Sequence, residues 1–289
     1  MTILLNKPVA PCLKTLNGYL EQINDSGWYT NFGPLHQKLT GRLEEYLGVE
    51  NLLLVANGTL ALHVAYRALD IKSAICTPFS FAATASSLAW EKIPFSFADI
   101  DSESLNLDPS LVASALDTSD DIDAVIATHV YGNPCDLEAF DMLQKKYNVK
   151  VIYDGAHAFN IKYGENSALS FGDASTLSFH ATKIFHTIEG GGIVFKDKKA
   201  YDRAKRIINF GLDANGVADQ VGINAKLNEY QCAVGLTLLE TMDEILQHRI
   251  ELFNLYKRSL ENHVQLPLWN DNASINGAYF PIILESEEN

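Results

Sequence analysis

The sequence predicts an α/β fold: a mainly parallel central sheet with helices on both faces, followed by the start of a small C-terminal α+β domain. Three observations predict it. Short β-rich runs alternate with helical stretches, the β-rich runs are almost continuously apolar, and 289 residues at 47% hydrophobic content supply a large core. Strands covered on both faces lose the polar alternation of a one-sided sheet, and that alternation is missing here.

The first strand covers residues 52–56 and the helix after it residues 59–69. Further strands follow at 74–76, 93–97, 124–127 and 149–153. Between them, residues 109–116 and 137–147 read as helices, the former opened by Asp108 as N-cap and Pro109 in the first turn. After Asp173 the texture changes. Strands at 174–179 and 192–195 are joined by a loop too short for a helical crossover, so at least one of them is antiparallel. Residues 227–260 read as one long helix with Leu236, Leu239, Ile245, Leu246, Ile250 and Phe253 on a single stripe, bridging into a second domain. Residues 278–284 read as a strand just before the sequence stops. A lone strand makes no domain, so residues 1–240 form the large domain and 241–289 the start of a small one that reads as truncated.

Charge narrows the partners. With 36 acidic against 22 basic side chains the formal charge is -14, which repels nucleic acid and anionic lipid while leaving room for a phosphorylated small molecule in a local cradle. The basic cluster around Lys196 to Arg206 reads as a solvated helix start. Residues 73–90 carry no charge, but Pro78 and the many Ser and Thr residues make a membrane span untenable. Cys12, Cys76, Cys135 and Cys232 lack metal or dithiol spacing and read as reduced, mostly buried thiols; no metal site is expected. Met1 to Leu16 has no leader pattern, so the expected location is cytoplasmic.

The chemistry centres on Lys183. An isolated lysine is ordinarily solvated, but this one sits in a loop between two strands, with Asp154 closing an apolar run upstream and Gly190 to Gly192 downstream. That setting points to an amine used to form a Schiff base.

Eight motifs, in order, carry a resemblance: residues 57–62 (Asn57, Gly58, Thr59 onward), 78–84 around Phe81, 99–101 with 106–109, 129–132, 154–157, 170–173, 178–183 and 222–228. Together they resemble the DegT/DnrJ/EryC1/StrS sugar aminotransferases, pyridoxal-phosphate (PLP) enzymes of fold type I. The resemblance implies that Lys183 bonds to the cofactor aldehyde and later shuttles a proton, its pKa lowered by burial. Asp154 would hold the pyridine nitrogen protonated. Gly58 and Thr59, opening a helix, would bind the cofactor phosphate together with the Ser178 hydroxyl. Phe81 would lie on the ring and His157 would contact the ring or its phenolic oxygen. Asn224 would reach the phosphate of a partner subunit, making the active unit a homodimer. Trp28 and Thr30 belong to a segment resembling the family's substrate loop, and His180 and His186 flank the lysine toward substrate. Lys226 stands where the family more often has Arg, which removes a bidentate contact.

The reaction implied moves an amino group from glutamate to a nucleotide-linked keto sugar, a dTDP-4-keto-6-deoxyhexose aminated at C4, for surface polysaccharide such as lipopolysaccharide O-antigen. C3-keto and UDP-linked sugars are open alternatives. The family's dehydratases replace the lysine, and Lys183 argues against them. Because family members usually run longer, the other reading is a truncated, catalytically impaired or regulatory PLP-binding relative.

Overall fold

A computed structural model describes residues 7–119 and 121–286. Of the amino-terminal segment read for a leader, residues 1–6 lie outside it, as do 287–289 of the acidic end. Nine strands are described: β1 (Leu52–Val55), β2 (Ala74–Cys76), β3 (Phe95–Phe97), β4 (Ala124–Thr128), β5 (Lys150–Asp154), β6 (Lys162–Tyr163), β7 (Asn166–Ser167), β8 (Ala174–Ser178) and β9 (Gly191–Phe195). Seven form one sheet in the order β1-β9-β8-β5-β4-β2-β3, and β6 with β7 forms a small hairpin. Only β9 runs against its neighbours in the large sheet, pairing antiparallel with both β8 and β1.

The helices are α1 (Leu13–Ser26), α2 (Pro34–Leu47), α3 (Gly58–Leu69), α4 (Ala82–Trp90), α5 (Pro109–Leu116), α6 (Leu137–Tyr147), α7 (Lys198–Ile207), α8 (Glu229–Leu239) and α9 (Met242–Leu260). The strand pleat sorts the core into two layers. Leu52, Leu54, Val125, Val151 and Leu177 point to the face covered by α1, α2, α6 and α8, whereas Leu53, Val55, Ile126, Ile152 and Ile193 point to the face covered by α3, α4 and α7. Successive side chains thus bury on opposite faces, which is why the strands read as unbroken apolar runs.

Three readings need correction. Residues 227–260 form two helices, because Glu240 and Thr241 interrupt them and Thr241 has non-helical backbone angles. Residues Cys232 to Leu239 are buried all round, so α8 is a core helix and only α9 is amphipathic. Residues 278–284 form no strand: a single bridge, Ile283 to Gln265, is the only pairing there, and a strand without a ladder has nothing to satisfy its amides. The expected strand at 93–97 shortens to β3, an edge strand with Phe97 exposed.

Basic α7 buries Ala200, Ala204 and Ile207 and forms ion pairs at the surface, Lys198 with Asp202, Arg203 with Asp70 and Arg206 with Asp219. All four cysteines are unpaired, and only Cys12 is exposed. Among the described residues no helix is long and apolar enough to cross a membrane, and no cluster of side chains could hold a metal ion.

Glu229 ties the layers together. Its buried carboxylate accepts hydrogen bonds from the amides of Leu35 at 2.7 Å and His36 at 2.8 Å, in the first turn of α2. Two otherwise orphaned donors and a helix dipole are satisfied by one side chain. Glu229→Ala is expected to cost about 3 kcal/mol in a denaturant titration, since charged hydrogen bonds are worth about 1.5–3 kcal/mol and a cavity is left behind.

Candidate active site

The carboxyl ends of β1, β2, β4, β5 and β8 all open on one cleft of about 1050 Å³, where a parallel sheet presents its loops to a ligand. At the end of β1, Asn57 is the N-cap of α3: its Oδ1 accepts from the Leu60 amide at 2.8 Å. The amides of Gly58 and Thr59 have no acceptor among the described residues and carry the positive end of the helix dipole into the cleft. Ser178, at the end of β8, faces them. A Cβ on Gly58 would meet Ser178 Cβ at 2.9 Å, so only glycine lets the two strand ends close into a cradle. Such a cradle fits a phosphate. Gly58→Ala is expected to weaken cofactor affinity at least about tenfold, read by absorbance titration, with little change in fold, because the added methyl displaces one of the few groups holding that phosphate.

Asp154 ends β5 and is buried. Its Oδ2 accepts from Thr84 Oγ1 at 2.7 Å and its Oδ1 from the Ala156 amide at 3.2 Å. Behind it runs a chain of hydroxyls. Because Thr84 donates to the carboxylate, Ser80 Oγ must donate to Thr84 at 2.7 Å, and Thr128 Oγ1 donates to Ser80 at 3.1 Å. Burial raises the Asp154 pKa; the Thr84 and Ala156 hydrogen bonds and the charge of Lys183 oppose that rise.

Lys183 lies in the loop between β8 and β9. Buried Phe179, Ile184 and Phe185 anchor that loop, with Phe185 stacked on Phe159 at 4.9 Å. The lysine amide donates to His180 O, and its ammonium has no hydrogen-bond or ion-pair partner among the described residues. Burial lowers its pKa, and Asp154 counters part of that. His157, pushed down to about 3 by burial and then by Lys183, stays neutral, and its Nδ1 is buried without a partner. An unfilled imidazole acceptor or donor beside an amine and a carboxylate fits a polar ring system between them.

Of the other residues singled out from the sequence, Phe81 and His180 also line the cleft, Phe81 81% exposed and so free to cover a flat ligand. His186 does not reach it. It is buried, its Nε2 donates to Val9 O at 2.8 Å and its Nδ1 accepts from the Ile188 amide, which makes it a loop anchor. Trp28 and Thr30 lie exposed outside the cleft, bonded to each other. Asn224 is also exposed and lines no part of it. Lys226 donates to Asn209 Oδ1 at 2.8 Å and covers the Phe210 ring, away from the cleft.

Residues that received no role from the sequence lie in the cleft, as Tyr131 and Tyr279 do, or behind it, as Thr84 does. Thr84 sits one helical turn after Phe81, a spacing that could have flagged it. Tyr131 has left-handed backbone angles, φ 56°, and its loop is held by Asn106, whose Oδ1 accepts from the Val130 amide while its Nδ2 donates to the carbonyls of Asn133 and Pro134. Its ring faces Tyr279 at 5.8 Å. No local pattern announces Tyr279.

The DegT/DnrJ/EryC1/StrS aminotransferase family matches this chain over residues 13–289. The chain belongs to that family. It is 41% identical to the dTDP-4-amino-4,6-dideoxy-D-glucose transaminase of Shigella dysenteriae over 288 residues, covering 99% of this chain and 78% of that protein. The structure of DesI, determined in the presence of its TDP-sugar product, matches with a TM-score of 0.89 at 30% identity, covering 96% of this chain and 71% of that one. A Bacillus cereus structure described as a PLP-dependent aminotransferase matches with a TM-score of 0.89 at 27% identity, covering 98% and 79%. The family member described here is therefore a PLP-dependent sugar aminotransferase of the α/β class.

Proposed function

We propose that this aminotransferase transfers the amino group of glutamate to C4 of a dTDP-linked 4-keto-6-deoxyhexose, for the amino sugars of surface polysaccharide such as O-antigen. The observation that carries the reading is one cleft in which Lys183 and Asp154 face each other beside a phosphate cradle, in a chain 41% identical to a transaminase of that sugar class.

The residues divide the work. Gly58, Thr59 and Ser178 would hold the cofactor phosphate, Phe81 would cover the ring, and Asp154 would keep a proton on the ring nitrogen. When bound, PLP supplies an aldehyde for an amine and an electron sink for the carbon attached to it. Lys183 Nζ, whose pKa burial lowers, would bind that aldehyde and afterwards carry the proton at the reacting carbon. Neutral His157 accepts or donates a hydrogen bond without adding charge.

A homodimer in the cytoplasm completes the reading. Asn224 lies outside this chain's own cleft, so it can serve a cofactor only across a subunit boundary, and exposed Phe210, Val221, Ile223 and Tyr230 offer apolar surface near it. Unpaired Cys76, Cys135 and Cys232 suit a reducing compartment.

Single-turnover absorbance tests the proposal. Glutamate should discharge the bound cofactor's visible band, and dTDP-4-keto-6-deoxyglucose should restore it faster than UDP-linked or C3-keto sugars. A band that glutamate leaves unchanged would mark a binding or regulatory relative instead.

A further inference from the structure

A transaminase must hold two unlike substrates in one cleft: an amino acid with a carboxylate and a bulky nucleotide sugar. The carboxylate needs a cation. Among the described residues lining the cleft and its inner extension, most cationic groups are committed. Lys183 is the reacting amine, His63 is hydrogen-bonded to Glu91 at 2.8 Å, His157 is neutral, and His180 lies 3.6 Å from Glu189.

Arg249 is the exception. It is half-buried on α9, always charged, and has no carboxylate partner among the described residues. It lines an inner pocket that shares His157, Thr182, Lys183 and Tyr279 with the main cleft. Its positive field reaches the Tyr279 hydroxyl, lowering a pKa that burial raises. With about 10 Å³ of space, that pocket admits one water-sized group, such as a carboxylate oxygen, and excludes a hexose.

The pocket is built. Gly277 has φ 64°, and a Cβ there would meet the Arg249 carbonyl carbon and oxygen at 2.5 Å, so the chain carrying Tyr279 can seat on α9 only through a glycine. Asn276 locks the same turn to the site: its Nδ2 donates to the carbonyls of His157 and Phe159, each at 2.9 Å, and its Oδ1 accepts from the Ala278 amide at 3.0 Å.

We propose that Arg249 binds a carboxylate of the amino-acid donor, in an inner pocket beside Lys183 that the sugar does not enter. The assignment rests on the transaminase reading above and adds the residue that tells donor from acceptor.

Glutarate, a dicarboxylate with no amine to react, is the probe. Its Kd and that of dTDP are measured by calorimetry on the PLP-loaded wild type, Arg249→Gln and Arg249→Lys. Arg249→Gln should weaken glutarate about 10- to 100-fold, the range of a charged hydrogen-bonded pair, with Arg249→Lys between. The dTDP affinity and the visible band should stay within about twofold of wild type in both. Wild-type glutarate affinity in Arg249→Gln would overturn the proposal. So would equal loss of glutarate, dTDP and the visible band in both variants, which marks a structural arginine, and so would a wild type that ignores glutarate. A wild type that binds glutarate through Arg249 but ignores dTDP would leave the carboxylate site standing and sink the sugar assignment alone.

Discussion

Lys183→Ala is expected to lose covalent cofactor entirely and to lower turnover by at least about 10⁴-fold, because one substitution removes both the nucleophile and the proton carrier. Borohydride reduction followed by peptide mass analysis should place an adduct on Lys183 in the wild type and none in the variant. The fold should survive, since the ammonium makes no hydrogen bond or ion pair among the described residues while Phe179, Ile184 and Phe185 anchor the loop. The effect also has a pH signature. Only the unprotonated amine attacks, and burial sets the Lys183 pKa below the ordinary 10.5, so the rate of cofactor capture should level off below pH 10.5. Asp154 opposes that lowering. Removing its charge should therefore move the levelling-off to still lower pH; an unmoved profile would mean that the two groups do not interact.

The parts of this site that were legible in the sequence are those fixed by chain-local rules. Asp108 caps its helix, as its side chain and the Pro109 after it require. Lys183, Asp154, Gly58, Ser178, Phe81, His157 and His180 come together in the structure because each follows or ends a strand of one parallel sheet, and such loops all open on the same edge. What was not legible depends on partners distant in the chain. Thr84 acts on a carboxylate 70 residues away. His186 looks like a substrate residue by adjacency to Lys183, yet a bond to Val9, 177 residues upstream, turns it inward. Arg249 and Tyr279 reach the cleft only because Gly277 lets two segments touch. The same cause explains the helix break at Thr241: an apolar count does not distinguish a stripe from burial on every side.

Asp154→Asn is expected to lower turnover by about 10³-fold, the scale of losing a preorganised charge at a reacting centre, and at the same time to stabilise the cofactor-free protein. The sign follows from its raised pKa. Folded protein holds the Asp154 proton more tightly than unfolded protein does, so stability is full below the ordinary carboxylate value of 3.8 and is lost as pH rises through the raised value. Burial makes the charged form costly, and the Thr84 and Ala156 hydrogen bonds and Lys183 offset only part of that cost. Asparagine removes that charge and keeps the hydrogen bonds. Its oxygen can accept from the Ala156 amide and its amide can donate to Thr84, because the Thr84, Ser80 and Thr128 hydroxyls can all reverse direction. A gain of about 0.5–2 kcal/mol is expected in urea titrations at neutral pH, shrinking as pH falls toward 3.8, where the wild type no longer carries the charge. With PLP bound the order should reverse, since the protonated ring nitrogen gives the wild-type carboxylate the partner that the apoprotein lacks. A variant less stable than wild type in both states would show that Asp154 is a structural carboxylate, and a gain that ignores pH would show that its charge is not what the fold resists.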